Sequence, residues 1–577
     1  MTDTYCLTLA HINDTHSHFD PNEVKFHLIK ENKTLTLHSR SGGYARLNHR
    51  IKLARQQAKL KQEAFLFLHG GDSFEGTLYY SQFKGKANSH LLNLLQPDAM
   101  VLGNHEMNAG NAPVKAFLDE IHFPLLAGNM DLSLEAIDKK EKMAQHKNLF
   151  DYDANTQTAK VLLKPLQDKT LAIIGITLEE MHNIARPDPD TQFRNAIKTT
   201  LNTIEKLKQQ GIVHIILLSH LGIDQDRRLA ERLSGISLIV GGHSHSLQGD
   251  FSTLGLNATP YGEKVNNTYI LHAGKYAETL GLANITFNRT GQVITLEGHN
   301  QFMLDKQFRL SSPQTIEPED YDWAYQQLLH HEGITWDEED ETIETIISTQ
   351  YRPTITRLQE KVLGVLPQNL IHIRVPSDSL PHGSEICPWV CRSMYHEVKA
   401  LDHKLDFALH NAGGVRESLS QGNLTLAEVI GRILPFELPL VTYEIEGQYL
   451  FQTLEAAINL ATNNNIMGSG AGGFPYTYGL RYIYDGRAQE GERITSIEIF
   501  NKQEQQQWQQ INRSQSYIGV SSDYTVSGKE GYHPLLNSKW VNGLSDLTLP
   551  EAFIQHMSKN RNLQKTLTPN VYYTSHV

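Results

Sequence analysis

Five short apolar runs in the first half of the chain each end in residues able to ligate a metal. Residues 6–12 lead into Asn13-Asp14-Thr15-His16-Ser17-His18, and residues 64–68 into His69-Gly70-Gly71-Asp72-Ser73. Residues 99–102 lead into Gly103-Asn104-His105-Glu106, residues 214–218 into Ser219-His220-Leu221-Gly222, and residues 236–240 into Gly241-Gly242-His243-Ser244-His245. Asp14, His16, Asp72, Asn104, His220, His243 and His245 together offer two carboxylates, one amide oxygen and four imidazoles. Such a set suits two adjacent divalent ions, with positions left for water and substrate. One Asp-x-His or one Gly-Asn-His is more often a turn or a satisfied polar group. Five such clusters, each at the end of an apolar run, point to a metal centre.

The elements that must carry these residues are legible in outline. The runs have the length and composition of buried strands. Residues 45–61 and 194–210 have helical spacing, and strand–helix alternation predicts α/β architecture with both faces of a sheet covered. After about residue 300 the texture changes. Residues 312–360 are acidic and amphipathic and read as helices joining two bodies. A second body, starting near Val362, mixes helices (387–399, 426–434, 448–461) with strands (440–445, 480–484, 494–500, 516–520). The expected organisation is a catalytic domain over 1–315, a helical linker over 316–360 and a substrate domain over 361–577.

Composition excludes several classes. The 577 residues are 40% hydrophobic and 20% charged, and 64 acidic against 52 basic residues give a net charge of −12. That sign argues against a general binder of nucleic acid or anionic membrane. No apolar stretch reaches the ~18 residues that a transmembrane helix needs. Cys6, Cys387 and Cys391 are too few for a disulfide scaffold. The N-terminus lacks a basic region and its apolar run is short for a signal peptide, so the expected compartment is the cytoplasm, or the periplasm or cell exterior if a leader has been removed. Gly468-Ser469-Gly470-Ala471-Gly472-Gly473 lacks the Lys-Ser/Thr ending of a phosphate loop and precedes an expected strand, so it reads as a flexible loop. The Gln-rich residues 503–510 read as a turn or hairpin tip.

Asp14-x-His16, Gly71-Asp72, Gly103-Asn104-His105-Glu106, Ser219-His220 and Gly242-His243-Ser244-His245 resemble the five motifs of the calcineurin-like metallophosphoesterases. Asn411-Ala412-Gly413-Gly414-Val415-Arg416 and Leu434-Pro435-Phe436 resemble the C-terminal domain of the 5'-nucleotidase family. The resemblance spans nearly the whole chain. It implies an N-terminal metallophosphoesterase β-sandwich flanked by helices and a C-terminal α+β substrate-binding domain. It further implies that Asp14, His16 and His245 hold one ion, that Asn104, His220 and His243 hold the other, and that Asp72 bridges them. Zn, Mn, Co and Mg are all compatible with such donors. Two ions sharing a carboxylate would generate the attacking hydroxide. His105 resembles the family histidine that donates to the phosphoryl oxygens or the leaving group. The 5'-nucleotidases commonly read Asn-His-Glu-x-Asp, whereas this chain has Asn108 at the last position. An amide stabilises an imidazolium less well than a carboxylate does.

On the substrate side, the resemblance implies that Arg416, and with it Arg374, grips phosphate or carboxylate. It implies that Phe436 and Tyr524 stack on a nucleobase and that Glu530 stands where the family has a ribose-binding Asp. The expected function is hydrolysis of nucleotide phosphate esters, as a 5'-nucleotidase with UDP-sugar hydrolysis as a further activity. Two alternatives stand beside it: a 2',3'-cyclic-nucleotide phosphodiesterase with 3'-nucleotidase activity, which Asn108 favours, and a catalytically silent nucleotide-binding protein. The expected partner is a nucleotide or nucleotide sugar.

Overall fold

A computed structural model describes residues 4–336, 338–401, 404–462, 470–501, 507–560 and 567–576. Gly468, Ser469 and residues 503–506 of the Gln-rich stretch lie outside the described residues. The chain divides into two compact units, Met1–Pro353 and Thr354–Val577.

The first unit is built on two sheets. In the eight-stranded sheet Thr4–Ile12 lies between Thr279–Asn288, its antiparallel neighbour, and Ala64–His69, its parallel neighbour; Ala99–Val101 follows in parallel. The six-stranded sheet carries Lys169–Thr177, His214–His220 and Leu238–Val240 side by side and parallel. Apolar side chains of the two sheets form one buried cluster, in which Leu7, Leu9, Leu66, Leu68 and Val101 join Ile173, Ile216, Leu218, Leu238 and Val240. Sheets packed face to face leave their outer faces to helices. Tyr44–Lys61 and Ala196–Gln209 are the principal ones, and both match the helical spacing of the sequence.

Residues up to Pro353 of the acidic stretch fall within the first compact unit. Ala324 and Leu328 of the helix Pro318–Leu329 join a cluster with Val24, Phe26, Leu35, Leu37 and Phe302. The acidic residues that suggest exposure have local work to do. Glu317 and Asp320 close a capping box at the start of this helix, and Lys30 reaches the Asp320 carboxylate at 2.9 Å. Further on, Ile343, Ile347 and Tyr351 are buried, and Arg352 pairs with both Asp20 and Glu344. Among the described residues, no helix is long and apolar enough to cross a membrane.

The second unit holds a five-stranded sheet in the order Pro475–Tyr478, Phe407–Asn411, Ser516–Ser522, Pro439–Glu446, Trp540–Thr548. A four-stranded sheet runs Gln507–Gln510, Ile494–Asn501, Leu480–Asp485, Val571–Ser575. The helices Cys387–Lys399, Gly447–Thr462 and Leu549–Lys559 pack with them around a single core. Ala471–Gly473 forms a short 3-10 turn, and Gly479, at φ +78°, breaks the following apolar stretch into two strands. Cys387 and Cys391 are buried free thiols, and burial pushes Cys387 up to about 12, so it stays protonated.

Leu218 is fully buried where the two sheets of the first unit meet. Leu218→Ala should therefore cost about 2–5 kcal/mol. Native-state hydrogen exchange at the amides of His214–His220 reads the loss without requiring the two units to unfold together.

Candidate metal centre

The parallel strands bring the carboxyl ends of Thr4–Ile12, Ala64–His69 and Ala99–Val101 to one edge of their sheet, and those of His214–His220 and Leu238–Val240 to one edge of the other. The turns that follow are unusual. Asp14, His16, Asp72, His243 and His245 take φ of 49°, 45°, 56°, 74° and 54°. Non-glycine residues seldom adopt this left-handed region, and when several do so in one place the surrounding structure must hold them there. Glycines make the crowding possible. A Cβ on Gly103 would fall 2.1 Å from Asp72 Oδ1, and one on Gly242 would fall 2.2 Å from the Gly70 carbonyl oxygen.

Two donor groups result. Asp14, His16 and His245 present ligand atoms within 4.8 Å of one another, and so do Asp72, His220 and His243. His16, Asp72 and His105 form a third such group, which places Asp72 in reach of both sides. The Asn104 amide oxygen lies 3.2 Å from His220 Nε2 and 3.0 Å from His243 Nδ1. The structure thus brings all seven expected ligands together.

Hydrogen bonds fix which ring nitrogen is available. His16 Nδ1 donates to the Phe74 carbonyl at 3.2 Å and His220 Nδ1 to the Gly70 carbonyl at 2.7 Å. Each Nε2 is then aimed inward: His16 Nε2 lies 3.1 Å from His245 Nε2, and His220 Nε2 lies 3.1 Å from Asp72 Oδ2. Backbone carbonyls orient metal-ligating histidines in this way. Burial holds His16 well below the usual imidazole range and brings His243 and His245 to about 4, so all three offer neutral lone pairs.

The carboxylates call for positive charge. Burial pushes Asp14 up to about 7, against the pull of His220 and with Asp72 adding to the rise. Burial also opposes charge on Asp72, yet His220 and His105 hold it well below the usual carboxylate range. His220 itself is raised to about 10, because Asp72 and then Asp14 outweigh its burial. Two buried carboxylates that keep a proton on a neighbouring imidazole are in surroundings where divalent cations fit.

His105 opens the 3-10 turn His105–Met107. Its backbone N–H donates to Asp72 Oδ1 at 2.9 Å, and its Nε2 lies 3.9 Å from Asp72 Oδ2. Burial would lower this imidazole, but Asp72 and Glu75 raise it to about 9. Asn108 lies beside it, with Nδ2 3.1 Å from His105 Nδ1.

Two carboxylates have roles that the sequence alone does not assign. Glu75 accepts from His105 Nδ1 at 2.7 Å and from Asn108 Nδ2 at 2.8 Å. Glu106, quoted in its motif as a neighbour, is fully buried and accepts from four backbone N–H groups: Asp72 (3.1 Å), Ser73 (2.6 Å), Phe74 (3.0 Å) and Gly103 (2.9 Å). Asn13 is a third overlooked brace. It donates to Asp14 Oδ2 at 2.6 Å and accepts from the Ala273 N–H at 2.8 Å.

In the second unit the strand Phe407–Asn411 ends beside Glu530, whose carboxylate accepts from Asn411 Nδ2 at 2.8 Å. Burial raises Glu530, while Asn411, Arg374 and Arg416 pull it down. The two arginines also act on His372, which burial and their charge bring to about 4. The Arg416 guanidinium lies 5.5 Å from the centre of the Phe436 ring. Arg374, Arg416, Phe436 and Glu530 are thus linked, directly or by charge, around one place. Tyr524 lies on the short helix Asp523–Val526. Phe436 and Tyr524 are half-buried, and neither belongs to the unit's hydrophobic cluster. Gly413 and Gly414 allow close packing, since a Cβ on Gly414 would fall 2.1 Å from His410 Nε2.

Glu106→Gln would replace one acceptor oxygen by an NH2 group facing two backbone donors. Each buried donor left unpaired costs about 1–3 kcal/mol. Thermal unfolding of the variant should fall accordingly, and its content of bound divalent ion, measured by elemental analysis, should drop as the Asp72 turn loosens. Wild-type stability and metal content would remove the bracing role.

Residues 7–247 match the calcineurin-like phosphoesterase model, and residues 372–537 match the 5'-nucleotidase C-terminal domain model. The chain is 29% identical over 598 residues to the NAD 5'-nucleotidase of Haemophilus influenzae, covering 99% of this chain and 93% of that protein. It is 29% identical over 595 residues to a probable 5'-nucleotidase of Treponema pallidum, covering 98% and 94%. The crystal structure of a 5'-nucleotidase precursor from Thermus thermophilus shares the fold at 24% identity, with a TM-score of 0.70 over 99% of each chain. With its calcineurin-like phosphoesterase domain, its 5'-nucleotidase C-terminal domain and its clustered Asp and His donors, the chain belongs to the 5'-nucleotidase family and is a metal-dependent phosphoric ester hydrolase.

Proposed function

We propose that this enzyme hydrolyses the 5'-phosphate ester of nucleotides, using two divalent ions. One would be held by Asp14, His16 and His245, the other by Asn104, His220 and His243, with Asp72 shared. The observation that supports this most is the placing of Asp72, which groups with His220 and His243 on one side and with His16 and His105 on the other. Ions bound there would lower the pKa of water and offset charge on the phosphoryl group.

The protein's own groups do the rest. His105 faces the Asp72 carboxylate through Nε2, where it donates to an oxygen of the phosphoryl group as negative charge grows, or to the departing nucleoside oxygen. Glu106, Asn13 and the backbone carbonyls of Phe74 and Gly70 keep the donors oriented. In the second unit, Arg416 and Arg374 hold anionic groups of the nucleotide, Phe436 stacks on the base, and Glu530 and Asn411 meet the ribose hydroxyls. Tyr524 completes the aromatic contact.

The cyclic phosphodiesterase reading rests on Asn108, whose type at this position resembles that branch of the family. Glu75 gives His105 a carboxylate partner at 2.7 Å, which supports the 5'-nucleotidase reading. Against the silent-binder reading stands the complete set of seven donors in the sequence, because drift would erase donors first.

Phosphate release from 5'-, 3'- and cyclic nucleotides, NAD and UDP-glucose, with Zn, Mn, Co and Mg in turn, tests the proposal; a preference for cyclic or 3' substrates would overturn it. His105→Ala should lower kcat by roughly 10²–10⁴ while metal content stays normal. Asp72→Asn should be the most damaging change among the ligands, because it weakens both sites, and it should lower metal content as well.

Phe436→Ala should act mainly on KM for nucleotides. Loss of one stacking face costs about 1–3 kcal/mol in single-strand binders. Turnover of bis-p-nitrophenyl phosphate, which has no base, should change little. Equal losses on both substrates would show that Phe436 supports the fold and not the base.

A further inference from the structure

Within the phosphoesterase unit, Glu75 stands in an unusual relation to His105. The turn after Ala64–His69 runs Gly71-Asp72-Ser73-Phe74-Glu75-Gly76-Thr77, and Glu75 takes φ +62° within it. A Cβ on the following Gly76 would fall 2.6 Å from the His16 carbonyl oxygen, so the turn runs directly against a candidate ligand. The Glu75 side chain is 15% exposed and its Oε2 accepts two hydrogen bonds. One comes from His105 Nδ1 at 2.7 Å, the other from Asn108 Nδ2 at 2.8 Å.

Asn108 Nδ2 lies 3.1 Å from His105 Nδ1. With Nδ1 protonated, both groups are donors and neither can satisfy the other. A carboxylate acceptor common to both resolves the conflict. Three residues after His105, in a 3-10 turn, the side chain of residue 108 is carried onto the same face as the imidazole. An Asp at that position would itself accept from Nδ1. Asn108 instead orients the carboxylate that does so.

We propose that Glu75 is the positioning residue for His105, and that the carboxylate normally placed three residues after the histidine has been relocated in this chain to a different turn. Glu75 and Asn108 act as an exchanged pair. Glu75 fixes Nδ1–H as the donor on its side of the ring, which leaves Nε2 to face Asp72 and the reacting phosphoryl group. Asn108 holds Glu75 in place. This inference rests on the assignment of His105 made above.

Steady-state kinetics on a 5'-nucleotide and elemental analysis test it in the full-length, metal-loaded enzyme. Glu75→Gln should lower kcat on the order of 10–100-fold, the scale on which outer-shell partners act. KM and bound metal should stay as in wild type. Adding Asn108→Asp should restore most of the lost kcat, because the carboxylate returns on the other side of the same hydrogen bond. In a His105→Ala background, Glu75→Gln should change kcat by less than about twofold, since its effect passes through the imidazole.

Wild-type kcat in Glu75→Gln would overturn the proposal. So would loss of metal, or a further fall in the His105→Ala background, because either would make Glu75 a brace of the metal site. A folded double variant that Asn108→Asp fails to rescue would do the same. A failure of the functional reading looks different: either the wild type releases no phosphate, or His105→Ala turns over at the wild-type rate.

Discussion

The carboxylate of Glu106 has no access to solvent and accepts four backbone N–H groups, three from the Asp72 turn and one from Gly103. Two loops from neighbouring strands are thereby tied to a single anion. The left-handed conformation of Asp72, the approach of Gly103 to its carboxylate and the placing of Asn104 and His105 all depend on that tie. Burial raises Glu106, as does the nearby Asp72 charge, so the arrangement is held against an electrostatic cost. Four donors from main chain that cannot move independently make the cost bearable.

Around that anchor the centre is organised as a balance of charge. Asp14, Asp72, Glu75 and Glu106 lie close to His16, His105, His220, His243 and His245. Burial holds His16, His243 and His245 low, whereas neighbouring carboxylates raise His105 and His220. The same residue type is thus shifted in opposite directions within one site, according to whether burial or a paired carboxylate dominates. The low rings are suited to ligate, His220 would exchange its proton for an ion held by the same carboxylates, and the raised His105 is suited to donate.

The strands of the metal centre are legible because each is a short, almost wholly apolar run ending in turn residues. The ligands can be found because their motifs end those runs. The antiparallel hairpin Asn22–Lys30/Lys33–Ser41 escapes such a reading. It buries only alternate residues such as Val24, Phe26 and Leu28, and charged side chains between them break the apolar signal. In the acidic stretch after residue 312, charge alone does not tell which residues are buried: Asp320 serves a helix cap and a lysine contact. Glu75 cannot be read, because its partners come from a turn 30 residues away and its own backbone is left-handed. Glu106 is visible as a motif letter, but nothing in a sequence states that a carboxylate will collect four main-chain donors.

The strand Thr4–Ile12 is flanked by Ala64–His69 on one side and Thr279–Asn288 on the other. Its register with the latter pairs Thr4 with Asn288, so full pairing of this strand waits until residue 288 has been made. Asp14, at the end of that strand, meets the His243 N–H only across a separation of 229 residues. Closing such loops is entropically costly and slow compared with local pairing. During synthesis Asp14 and Asp72 are therefore made long before His220, His243 and His245. The order of translation separates the moment when the chain gains its first metal donors from the moment when it can grip an ion, which delays hydrolytic competence until the first unit is nearly complete.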